Sequence, residues 1–122
     1  MLGINETGWP YSNLFIQKYG KIIDEIKNIN PEAIIYVQSI LPVSQKVSSS
    51  HSYVKNAKIN EYNLLIQQMV EEKEVYYINS AESVATSDGY LPEEAASDGI
   101  HLKENYCDKW LEYLKTHTIN AQ

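Results

Sequence analysis

Ala33-Ile34-Ile35-Tyr36-Val37-Gln38 is apolar at consecutive positions rather than alternate ones, the pattern of a strand buried on both faces in a parallel sheet. Asn30-Pro31 precedes it and stops whatever helix comes before. Upstream, Leu14, Phe15, Tyr19, Ile22, Ile23, Ile26 and Ile29 recur with a 3.6-residue period, which predicts an amphipathic helix with Pro10 in its first turn. Met1 to Ile4 reads as the end of an earlier strand, opening into a loop from Asn5 to Trp9. Downstream, Pro42 to Tyr53 is polar and serine-rich, and predicts a long loop. A helix over about Lys55 to Glu72 follows, with Ile59, Tyr62, Leu65, Ile66, Met69 and Val70 inward, then a strand at Val75-Tyr76-Tyr77-Ile78. Turn residues fill Asn79 to Gly99, and a last helix over Lys103 to His117 turns Tyr106, Trp110, Tyr113 and Leu114 inward. Strands alternating with helices predict right-handed crossovers and an α/β fold with a parallel sheet.

At 122 residues the chain fits one domain, with 43% hydrophobic and 21% charged residues. Net charge is −6 and every basic residue is a lysine, which argues against nucleic acid and against an anionic membrane surface. No stretch approaches the roughly 18 apolar residues of a membrane span, and no charged-then-apolar leader opens the chain, so the sequence leaves localisation undetermined. Cys107 stands alone, and three scattered histidines give no metal-ligand spacing, so neither a metal nor another cofactor is expected.

The chemistry concentrates in Ser97-Asp98-Gly99-Ile100-His101-Leu102. In open α/β sheets, sites lie beyond the carboxyl ends of the strands, and this turn follows the last strand. Asn5, just past the first strand stub, would converge on the same edge. A hydroxyl nucleophile needs a base near neutrality, and imidazole supplies one. His101 would take that proton through one ring nitrogen, while Asp98 accepts from the other and fixes the tautomer. Asn5 would donate its side-chain N–H to an oxyanion, a contribution of roughly 2.7–4 kcal/mol. Each residue also has a structural reading: Asn5 as a turn cap, Asp98 as a loop or helix cap, His101 as a surface histidine.

Gly3-Ile4-Asn5-Glu6 resembles the G-x-N-D block of SGNH (GDSL-type) hydrolases, with Glu6 where Asp is usual, and Asp98-Gly99-Ile100-His101-Leu102 resembles their D-x-x-H-L block. The resemblance spans residues 1–122 but only the C-terminal portion of a single SGNH domain. It implies a flavodoxin-like three-layer α/β/α sandwich and a metal-free serine esterase mechanism acting on a small ester, an acylated carbohydrate or lipid. In it Asn5 matches the oxyanion-hole asparagine, Asp98 the triad aspartate and His101 the base.

The G-D-S block with the nucleophile and the second-block glycine are absent, and the family's order places both before Met1. Ser97 and Ser48 to Ser50 are not held rigidly after a strand; His51 and His117 read as exposed, Cys107 as packing, and Trp9 either as a pocket wall or as packing against the first helix. In the family's 2-1-3-4-5 order the three strands here are neighbours with one edge uncovered, which predicts a dimer, a strand exchange or pairing with the missing N-terminal half. The competing expectation is a non-catalytic self-association or interaction module.

Overall fold

The structure is a computed structural model that describes residues 12–50 and 55–118. Asn5, Trp9, Pro10, His51 and the first strand stub lie outside the described residues. Helix α1 (Ser12–Ile29) leads to strand β1 (Tyr36–Gln38), short helix α2 (Gln45–Ser50), helix α3 (Asn56–Lys73), strand β2 (Tyr76–Ile78), two 3₁₀ turns (Ser80–Ser83 and Glu93–Ala95) and helix α4 (Glu104–Thr116). β1 and β2 pair in parallel, Tyr36 against Tyr76 and Gln38 against Ile78.

The strand expected over residues 33–38 is shorter because a turn consumes its start: Ala33 N donates to Asn30 O and Glu32 N to Asn30 Oδ1. The ladder itself runs one residue past each end of β1, from Tyr76 N donating to Ile35 O to Ser39 N donating to Ile78 O. Successive side chains point to opposite faces. Val37 and Tyr77 therefore join Phe15 and Ile23 of α1 and Ile59, Tyr62, Ile66, Met69 and Val70 of α3 in the main core. Gln38 points the other way and accepts from Trp110 Nε1 of α4 at 3.0 Å. Helices thus cover both faces of the sheet. A second cluster, Val84, Leu91, Ala95, Ala96 and Tyr106, seats α4 on the long loop.

Between β1 and α2 the chain stays extended; two asparagines of α3 bond its backbone, which also forms a parallel bridge to Leu91 through Val43 O. Asn63 accepts from Ile40 N at 2.7 Å and donates to Ile40 O at 3.1 Å. Asn56 does the same for Val43, at 2.9 and 3.0 Å. The match is geometric: seven helical residues rise about 10.5 Å, and three extended residues span about 10 Å. Asn56→Ala should strand a buried backbone N–H and cost about 1–3 kcal/mol, read as a lower urea midpoint at unchanged slope.

The serine-rich stretch expected to be loop contains α2. Ser44 Oγ accepts from Val47 N at 3.2 Å, an N-cap, and Ser48 Oγ accepts from Asn56 N at 3.0 Å, satisfying a free donor at the start of α3. Serines here begin helices instead of interrupting them. The α1 stripe is also wider than α3 can cover. Phe15 and Ile23 are buried, but Leu14, Ile22 and Ile26 are 41%, 45% and 40% exposed, and Ile29 is 85% exposed.

α4 is tied down by Tyr113, whose hydroxyl donates to Glu82 Oε2 at 2.7 Å. Burial, then the bond to Glu82 and its charge, push this phenol from 10.0 up to about 12. A raised folded-state value means the contact contributes fully below the unfolded value near 10 and is lost as pH rises through about 12. Tyr113→Phe should therefore remove a late-titrating tyrosine from the alkaline tyrosinate absorbance curve and flatten alkaline destabilisation over that window.

Candidate active site

The turn between the long loop and α4 is built around one carboxylate. Asp98 Oδ1 accepts from the backbone N–H groups of Ile100 (2.9 Å) and His101 (2.8 Å), and Oδ2 lies 2.6 Å from His101 Nδ1. Three hydrogen bonds to the charged form, first among them that from the His101 ring, hold the Asp98 carboxyl well below the usual carboxylate range. The Asp-x-x-His spacing is what permits this, since one side chain closes a local Asx turn and reaches the ring that the turn presents.

The apolar residues of the motif anchor the polar ones. Ile100 packs on the main core and Leu102 on the second cluster. Asp98 and His101, by contrast, keep side chains 53% and 78% exposed. Gly99 is buried at φ 74°, and its carbonyl accepts from Ser44 N at 2.9 Å. Ser44 and Val47, at the start of α2, thus brace the turn. Neither stood out in the sequence, although a serine ahead of Gln45-Lys46-Val47 is an N-cap signal. A hollow of about 190 Å³ opens beside Asp98, with Ser44, Lys46, Ser50, Glu93 and Ser97 in its polar lining.

Asp98 and His101, expected as a pair, are in contact; Asn5 lies outside the described residues. Among the described residues no serine hydroxyl hydrogen-bonds the His101 ring. Ser97 is exposed, Ser48 serves α3, and Ser50 Oγ donates to Lys46 O. Cys107 is half-buried with Sγ 3.8 Å from Leu102 O, in keeping with packing. His117 is exposed at the end of α4 and stacks on Tyr113 with centroids 3.7 Å apart. Among the described residues no group of three His, Cys, Asp or Glu is placed to hold a metal, and no helix is long and apolar enough to cross a membrane.

Two solved structures share this fold. A Streptococcus pneumoniae protein provisionally designated a platelet activating factor superimposes with TM-score 0.85 at 24% identity, over 96% of this chain and 56% of that one. The esterase domain of the ORF1 protein of the zebrafish ZfL2-1 retrotransposon superimposes with TM-score 0.67 at 15% identity, over 94% of this chain and 67% of that one. The chain thus spans little more than half of the streptococcal structure, and at these identities the likeness is one of fold: the α/β arrangement of SGNH hydrolases. No curated protein matches it. The model of the GDSL-like lipase/acylhydrolase family matches residues 1–105, and the chain belongs to that family.

Proposed function

We propose that this chain is the base-bearing portion of a serine acylhydrolase that cleaves a small carboxylic ester, acylated carbohydrate or lipid. The observation that carries the reading is the Asp98 Oδ2–His101 Nδ1 contact at 2.6 Å on an otherwise exposed imidazole. With Nδ1–H donating to Asp98, Nε2 is left as the proton acceptor. His101 takes the proton of a serine hydroxyl as its oxygen attacks the ester carbonyl, and Asp98 stabilises the imidazolium. Asn5 donates to the tetrahedral oxyanion. Collapse breaks the bond to the alcohol, which receives the proton from His101. Water, deprotonated by the same nitrogen, then releases the acid and regenerates the serine.

The nucleophile in this reading comes from polypeptide outside the 122 residues. The test is a fluorophosphonate probe read by mass spectrometry, on the chain alone and on the chain supplied with the part of the streptococcal structure it does not match. The reading expects no adduct on the chain alone, and in the supplemented sample a His101-dependent adduct on the added serine. A stoichiometric, His101-dependent adduct on Ser44, Ser48 or Ser97 relocates the nucleophile. No adduct in either sample removes the catalytic reading.

One observation favours self-association as a second reading: Ile22, Ile26, Ile29 and Ile34 are large apolar residues, each at least 40% exposed. Sedimentation that shows a dimer lost in Ile26→Glu/Ile29→Glu supports it, and a monomer for the unsubstituted chain removes it.

A further inference from the structure

A second hollow lies away from the dyad. It is a groove of about 600 Å³ between α3 and the loop that follows β2, and neither Asp98 nor His101 lines it. Its volume lies within the roughly 300–1,000 Å³ of small-molecule sites. The buried side chains of Ile40 and Ile59 form part of its floor.

The walls differ from a packing defect and from a lipid tunnel. On α3, Asn60, Leu64 and Gln67 fall at i, i+4 and i+7, one stripe of a helix, and all three are exposed. The neighbouring Asn63 amide is committed to Ile40, whereas those of Asn60 and Gln67 stand at the mouth. Across the groove lie Tyr77 and Asn79. Among the described residues Glu82 is the one charged side chain of the lining, and its carboxylate already accepts from Tyr113. No lysine among the described residues lines the groove, so they offer no cation to a phosphate or carboxylate, and the chain's net charge of −6 opposes anions further.

We propose that this groove binds a neutral, hydroxyl-rich ligand, a saccharide. Each carboxamide offers two donors and an acceptor, the combination that adjacent sugar hydroxyls require, since a hydroxyl both gives and takes a hydrogen bond. A pyranose also carries C–H faces, and Leu64, 61% exposed, with the half-buried Tyr77, provides the apolar surface for one of them. The amides fix orientation and the leucine supplies burial, which is the division of labour in small-ligand sites. The proposal stands apart from ester hydrolysis, since the groove and the dyad share no residue.

The experiment is a titration of the isotopically labelled chain with N-acetylchitotetraose, xylotetraose and maltotetraose, followed by NMR. At least one is expected to shift the side-chain NH₂ signals of Asn60 and Gln67 saturably, with low-millimolar affinity. Asn60→Ala/Gln67→Ala should weaken that binding by at least about tenfold, or 1.4 kcal/mol, while His101→Ala leaves it unchanged. These positions are exposed, so the double variant should keep its spectrum elsewhere. Absence of saturable shifts with all three sugars overturns the proposal, as do shifts that persist undiminished in the double variant. Absence of esterase activity in the supplemented, unsubstituted sample, with sugar binding intact, would count against the catalytic reading and leave this one standing.

Discussion

His101→Ala, assayed on the chain supplied with the serine-bearing segment, is expected to lower kcat for p-nitrophenyl acetate by about four orders of magnitude or more, with KM changed little. The size follows from the role: without the base the hydroxyl must attack carrying its own proton, and triad members act as a unit whose single removals cost nearly as much as joint ones. Asp98→Asn should cost about 10⁴-fold, because an amide cannot hold Nδ1 protonated and so presents the wrong tautomer. The imidazole is 78% exposed, so a loss through unfolding is not expected from His101→Ala. Unchanged far-UV circular dichroism and an unchanged urea midpoint check this. Activity within tenfold of the unsubstituted sample would remove His101 from the mechanism.

Gly99→Ala should produce the largest loss of stability. The backbone there has φ 74°, where a side chain costs roughly 1–2 kcal/mol. A methyl group would also fall inside contact distance of Val47 Cγ2 and within 2.5 Å of Ser44 Oγ, atoms at the start of α2. Overpacking of this kind adds about 1–3 kcal/mol, so about 2–5 kcal/mol in all is expected from a total of roughly 5–15. The measurement is the urea midpoint; a change below about 0.5 kcal/mol would show that α2 does not brace the turn. Because Gly99 lies between Asp98 and His101, the substitution should also reduce catalysis in the supplemented assay more than Asn56→Ala does.

Those two effects mark what was legible in the chain. The Asp98–His101 contact follows from local chemistry: an Asx turn needs only the carboxylate and the next three residues, and Ile100 and Leu102 identify themselves as anchors by being apolar. The continuous apolar run around Ile35 and Val37 likewise exposed the parallel strand, a run without alternation being the pattern of a strand covered on both faces. The helix in Gln45–Ser50 was hidden because serine favours both turns and N-caps, and only the tertiary position of Ser44 under Gly99 decides between them. The Asn56 and Asn63 clamps were hidden for a related reason. Their meaning depends on an extended segment lying alongside α3, which no helical period reveals. Ile22, Ile26 and Ile29 carry a sound helical pattern, yet periodicity states which face is apolar and not what covers it.

The central claim is that Asp98 fixes the His101 ring so that Nε2 is the free base. Long-range ¹H–¹⁵N correlation of the His101 imidazole above its titration midpoint tests it on the chain as it stands. The account predicts the Nδ1–H tautomer, with Nε2 at the shift of an unprotonated ring nitrogen, and a rise in the Nε2–H population in Asp98→Asn. An Nε2–H tautomer in the unsubstituted chain, or a tautomer ratio indifferent to Asp98→Asn, would contradict it.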